Sequence, residues 1–216
     1  MTDDHPRGTG SQSDHEVAEA LAAAVGHEDP ELRVLRDSLA AAADHEGLLD
    51  VSFRTVDSPF GELLLAATAQ GLVRVAFETE DHDRVLRTLA DRVSPRILHD
   101  PRRTDEAARE LEEYFAGRRR RFDLPLDLQL VHGFRREVVA GLAGIPFGAT
   151  ESYGEVARRV GNPSAVRAVG SACSHNPVPL VLPCHRVVRS DGSTGQYLGG
   201  AGVKVALLAL EAGVAG

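Results

Sequence analysis

No stretch of the chain approaches the roughly 18 consecutive apolar residues of a membrane-spanning helix, and the first 20 residues lack the apolar core of an export signal. Membrane insertion and secretion are therefore not expected. Cysteine is scarce, with only Cys173 and Cys184 in 216 residues. Without an export signal the expected setting is the reducing cytoplasm, where a Cys-His pair more often serves catalysis or metal binding than a disulfide framework. Zinc fits badly: Cys173, His175, Cys184 and His185 match no ordinary ligand spacing, and adjacent Cys184 and His185 are poorly placed for one tetrahedral ion. Neither a metal nor a cofactor is expected. Residues 50–125 contain no cysteine and no metal-spaced histidine cluster, and no chemistry is assigned to them.

The formal net charge of −8 looks unsuited to a polyanionic partner until it is divided along the chain. Residues 1–49 hold 11 acidic and 3 basic residues, a net −8, and residues 50–116 hold 14 and 9, a net −5. Residues 117–216 reverse the balance with 7 and 12, a net +5. The positive charge lies in the same part of the chain as Cys184, which suits an anionic partner.

The length allows two small domains. Residues 1–49 read as an acidic extension: 1–14 are polar and expected to be disordered, and Val17, Leu21, Val25 and then Leu32, Leu35, Leu39 mark two short helices. From Val51 the pattern changes to strands, Val51–Val56, Gly61–Ala67 and Leu72–Phe77, separated by turn residues that predict an antiparallel meander. Helices follow at about 81–92 and from Thr104, a capping residue, to Ala116 before Gly117. Residues 50–125 thus form a small α/β domain and 126–216 a mostly helical one. Between them stands Arg118-Arg119-Arg120-Arg121, a solvated surface run with phosphate contact as its minor reading.

In the second domain a helix spans Phe134–Leu142. Ser152-Tyr153-Gly154-Glu155 is a capping box opening a helix through Val160. Gly161-Asn162-Pro163 turns the chain, and Ser164 is expected to cap a second helix reaching about Ser174. Two such helices on a tight turn make a helix-turn-helix. The second is built from small residues, among them Ala168 and Ser171, with Arg167 as its one long polar side chain before His175. A helix reading the major groove needs several donors and acceptors; this one suits close backbone approach to a minor groove with Arg167 as a single probe.

Pro183-Cys184-His185-Arg186-Val187 ends the apolar run Val178–Leu182. A thiol, an imidazole and a guanidinium side by side suit a nucleophile, because the thiolate is the reactive form. Around that core, Ser152–Glu155, Gly161–Pro163, Arg167–Gly170, Asn176-Pro177, Tyr197, Gly199-Gly200, Lys204 and Glu211 recur in order, so residues 147–213 resemble the O6-alkylguanine-DNA alkyltransferases, with weaker similarity back to Val51.

That resemblance implies an α+β fold of two domains: a ribonuclease H-like first domain, and a helical second one with a winged-helix-like helix-turn-helix. It implies a monomer acting on double-stranded DNA containing O6-alkylguanine, with O4 of thymine a further possible target. Cys184 would take the alkyl group once and irreversibly, His185 would deprotonate it through a water, and Glu211 would orient His185. Tyr153 would donate to the departing base, Arg167 would replace the flipped nucleotide, and Asn176 would bridge the recognition helix to the active loop. Ala168 and Ser171 would lie against DNA; Pro179, Val187, Tyr197, Leu198 and Gly199 would wall the pocket. The chain departs from the family pattern at Leu198, where some members carry serine, at Gln196, where many carry glycine, in lacking tryptophan, and in lacking N-terminal zinc ligands.

Overall fold

The computed structural model describes residues 30–214. The stretch 1–14 and the helix expected over 17–25 lie outside those residues. Helix α1, Pro30–His45, is longer than the expected 32–39 segment and exposes Leu32, Val34, Leu35 and Leu39.

A four-stranded mixed sheet follows, formed by β1 (Val51–Val56), β2 (Leu63–Thr68), β3 (Gly71–Phe77) and β4 (Ile97–His99) in the order β3-β2-β1-β4. The meander β1-β2-β3 is antiparallel, as its turn residues predict. The parallel pairing of β4 on β1 goes beyond the sequence reading, because three residues carry too little periodicity to show a strand. Strand β2 is an uninterrupted apolar run because both sheet faces are covered. Leu63 and Leu65 enter one apolar cluster, and Leu64 and Ala66 enter the other, against Val85 and Leu89 of α2 (His82–Arg92).

Helix α3, Asp105–Phe115, lays Ala107, Leu111 and Tyr114 into the larger cluster. Thr104 does not cap it through its side chain; the hydroxyl donates to the Pro101 carbonyl at 2.9 Å instead, inside a preceding 3-10 turn. The larger cluster runs on into Val138, Val156, Val169, Cys184 and Leu207, so one core spans the domain boundary expected near residue 125. Two backbone bonds add to this junction: Leu72 N–H donates to Pro125 at 2.9 Å and Val75 N–H to Pro177 at 2.9 Å.

The helical part comprises α4 (Gly133–Gly141), α5 (Tyr153–Arg159), α6 (Val166–Ser174) and α7 (Ala201–Val214). The capping box forms as expected: Ser152 Oγ accepts from Glu155 N–H at 3.2 Å, and Glu155 Oε2 accepts from Ser152 N–H at 2.6 Å. Ser164 is not a cap. Its hydroxyl donates to Asn162 Oδ1 at 3.0 Å, and α6 begins two residues later after Ala165.

A two-residue strand β5 (Glu151–Ser152) pairs in parallel with β6 (Val187–Val188). This pairing brings the start of α5 beside the segment that leaves Cys184. On α7, Lys204, Leu207 and Glu211 fall at helical spacing on one fully buried face.

Candidate active site

The apolar run before Cys184 is a buried loop held by one side chain. Asn176 Nδ2 donates to the Leu182 carbonyl at 2.7 Å, and its Oδ1 accepts from Val178 N–H at 3.1 Å. Inside the loop Leu180 adopts φ 73°, a left-handed conformation that a leucine holds only when its surroundings over-determine it. The loop delivers Cys184, His185 and Arg186 as one buried 3-10 turn.

Burial pushes the Cys184 thiol up to about 11. A hydrogen bond from Asn176 and the charge of Lys204 oppose that rise. Lys204 is the only lysine in the chain. It is fully buried, and its Nζ donates to the Val187 carbonyl at 2.6 Å. Both cysteines are free thiols.

His185 Nε2 stands 2.9 Å from Glu211 Oε1. Glu211 also accepts from Arg186 Nε at 2.9 Å, from the Tyr114 hydroxyl at 2.7 Å and from Gly148 N–H at 3.1 Å. Burial alone would raise the Glu211 carboxyl, but the hydrogen bonds from His185 and Arg186 outweigh it and hold the group at about 2. Burial depresses His185 below its ordinary value against the opposing pull of Glu211. The pair is therefore a neutral imidazole against an ionised carboxylate. An ionised carboxylate only accepts, so Nε2 carries the proton and Nδ1 is the acceptor. Nδ1 is buried and has no hydrogen-bond partner among the described residues.

Tyr153, the first residue of α5, lies between Gly170 of α6 and Gly195. A Cβ at Gly195 would fall 2.9 Å from the Tyr153 hydroxyl, so that glycine makes room for the phenol. Burial, and then the neighbouring Cys173 and Cys184, raise the Tyr153 pKa and keep it a donor.

Beside Cys184 a cavity of about 100 Å³ is lined by Cys173, Ser174, Gln196, Tyr197 and Leu198. The Tyr197 ring stands edge-on to Phe77 at 5.6 Å and to His185 at 6.2 Å. Of the other expected wall residues, Pro179 and Val187 are buried, and Gly199 packs on the Phe77 ring, where a Cβ would meet carbons at 3.0 Å. On α6, Arg167, Ala168 and Ser171 are exposed, while Val169, Ala172 and Cys173 face inward.

Sequence reasoning misses three members of this cluster. Tyr114 belongs to the stretch to which no chemistry is assigned, and it reaches Glu211 across 97 residues of chain. Arg186 reads only as a neighbour of the cysteine, yet it grips the Glu211 carboxylate with two guanidinium nitrogens. Lys204 carries no role in the sequence reading. The Arg118–Arg121 run mostly pairs within the protein: Arg119 meets Glu110 at 3.1 Å and Glu113 at 2.8 Å, and Arg120 and Arg186 both lie over the Phe147 ring.

Two models of 6-O-methylguanine DNA methyltransferase match the chain, the ribonuclease-like domain over residues 51–128 and the DNA-binding domain over residues 133–213. The chain belongs to this family. A methylated-DNA–protein-cysteine methyltransferase of Mycolicibacterium paratuberculosis is 42% identical over 74% of this chain and 92% of its own length. One from Bacillus subtilis is 34% identical over 74% and 94%. A crystal structure of the Mycobacterium tuberculosis O6-methylguanine methyltransferase superposes with a TM-score of 0.66 at 38% identity, covering 77% of this chain and 95% of that one. A second structure of that protein, in complex with DNA, gives 0.65 at 38% over 76% and 94%. The reaction class of the present methyltransferase is DNA repair by transfer of an alkyl group to a protein cysteine.

Proposed function

We propose that Cys184 is the single-use acceptor of an alkyl group from O6 of a guanine flipped out of duplex DNA. The observation that carries this is the His185–Glu211 pair at 2.9 Å, which leaves Nδ1 as a buried acceptor one residue from the thiol. A bridging water would pass the Cys184 proton to Nδ1, and Glu211 stabilises the imidazolium that forms.

In the transfer step the sulfur–carbon bond forms as the carbon–O6 bond breaks. The bonding pair leaves with the purine, and Tyr153 donates a hydrogen bond or proton to it where that charge develops. His185 then gives up the proton taken from Cys184, which reaches the departing guanine either directly or by replacing one that Tyr153 has donated, so the proton count closes. The product is a thioether, whose carbon–sulfur bond does not hydrolyse under mild conditions. One protein therefore repairs one lesion.

The exposed face of α6 suits the DNA side. Arg167 would fill the vacated base position, and Ala168 and Ser171 would allow the helix to approach a minor groove. Extrusion costs a few kcal/mol, less for a weakened alkylguanine pair, which favours damaged sites without reading sequence. The M. tuberculosis relative crystallises in complex with DNA, in support of a DNA-facing surface, and α6 lies within the match to the DNA-binding domain over residues 133–213.

Single-turnover transfer from duplex DNA and from free O6-benzylguanine tests both parts. Arg167→Ala is expected to slow the duplex reaction at least tenfold and leave the free-base reaction unchanged. An unchanged duplex rate would remove Arg167 from base flipping.

A further inference from the structure

A second cavity lies outside the cysteine site. It is a groove of about 300 Å³ where α2, β3, α4 and the end of α6 meet. Arg84, Thr88 and Arg92 line it from one stripe of α2, at i, i+4 and i+8, while Val85 and Leu89 on the same helix are buried in the core. Arg135 faces it from α4, and His175 from the C-terminal end of α6.

The charge in this groove is not balanced internally. Arg74 is neutralised by its ion pair with Glu80, the one acidic residue of the lining. Arg92 donates to the uncharged Leu130 carbonyl at 2.8 Å. The guanidinium groups of Arg84 and Arg135 have no hydrogen-bond or ion-pair partner among the described residues. Three uncompensated arginines thus converge, two of them from the stretch 50–116 whose net charge is −5.

The groove also has a defined relation to the reaction. Ser174 and Leu198 line both it and the cysteine cavity, so the two share a wall. Arg167, Ser171, Ser174 and His175 form one exposed line along α6. From Arg167 to His175 that line is roughly 12 Å, at about 1.5 Å per residue, or about three to four base steps at about 3.4 Å each.

The geometry points to the groove as a phosphate-binding extension of the DNA interface, with Arg84 of α2 and Arg135 of α4 holding the sugar-phosphate backbone of a strand that crosses α6. This rests on the reading of α6 as the DNA-facing helix. It makes the ribonuclease-like half of the chain a direct DNA contact. Because the contacts are to phosphate, they add affinity and registration without sequence preference.

The test uses the full chain carrying Arg84→Gln and Arg135→Gln together, with Arg87→Gln as the control, since Arg87 is exposed on the same helix but outside the groove. Binding to an O6-methylguanine duplex is measured over a salt series. The double variant is expected to lower the slope of log K against log salt by about 1 to 2, at about 0.9 for each phosphate no longer neutralised, with at least a tenfold loss of affinity at low salt. Arg87→Gln should leave the slope within error of the native value. Transfer from free O6-benzylguanine should match the native rate in both, which shows that the cysteine pocket is intact. A native slope in the double variant, or an equal fall in the Arg87 control, would overturn the proposal. Failure of the native protein to take the methyl group from the duplex onto Cys184 would instead sink the reading of Cys184, so the two outcomes are distinct.

Discussion

His185 Nε2 and Glu211 Oε1 lie 2.9 Å apart with both side chains fully buried. The carboxylate selects the histidine tautomer and aims Nδ1 away from itself. Glu211→Gln is expected to slow single-turnover transfer by on the order of 10²- to 10⁴-fold, in line with loss of the orienting carboxylate in comparable triads. The same change leaves Arg186 buried without its anion and is expected to destabilise the fold by about 3–5 kcal/mol. Rapid-quench kinetics and urea denaturation read the two effects separately.

Tyr114→Phe probes the contribution of the first half of the chain. It removes a hydroxyl 2.7 Å from Glu211 while keeping the ring packed among Phe115, Phe122 and Phe147. The expected result is a loss of about 1–3 kcal/mol in stability and a transfer rate lowered less than in Glu211→Gln. A rate and a denaturation midpoint both equal to native would exclude Tyr114 from the network.

The thiol itself offers a third test. Cys184 is held up to about 11 by burial, with the Lys204 charge pulling against it. Lys204→Met removes that charge and is expected to move the thiol higher. The pH dependence of Cys184 alkylation by iodoacetamide, followed by peptide mass analysis, reads this directly; a downward shift would contradict the role given to the lysine.

Acid stability follows from the same cluster. Glu211 sits at about 2 in the fold against 4.5 unfolded. Its depressed pKa gives stability that is fully present above about pH 4.5 and lost as pH falls toward 2, worth about 3 kcal/mol. His185 adds to this, because the unfolded chain takes its proton near 6.5 and the folded one only at lower pH. Stability should therefore begin to fall below about pH 6.5 and fall further below 4.5. Urea midpoints between about pH 8 and 3 check it, and a flat profile would contradict the buried ion cluster.

Much of this site is legible in the sequence because its key groups are local. Cys184 and His185 are adjacent, the Ser152–Glu155 capping box fixes the start of α5 within four residues, and the small residues of α6 announce a face that approaches something closely. What escapes is non-local. Tyr114 sits in an amphipathic helix as an ordinary core aromatic would, and nothing near it signals an acceptor 97 residues away. Arg186 reads only as a neighbour of the cysteine, and its carboxylate partner Glu211 lies 25 residues on, on α7. Thr104 and Ser164 carry good capping side chains, but their hydroxyls donate to Pro101 and Asn162 instead of accepting from a helix N–H: Thr104 holds the N-cap position without a side-chain bond, and the helix after Ser164 begins two residues later. Pro179 and Val187 are both buried, and Cys173, to which the sequence assigns no role, lines the cavity beside Cys184.

Stoichiometric transfer to one thiol distinguishes this chemistry from turnover and from binding without reaction. Duplex DNA carrying O6-methylguanine with a labelled methyl group is incubated in excess with the native protein and with Cys184→Ala, and the label is located by peptide mass analysis. One methyl group per native molecule is expected, on Cys184 alone, and none on the variant, which still binds the duplex. Label on Cys173, continued turnover beyond one equivalent, or transfer in the variant would contradict the assignment of Cys184.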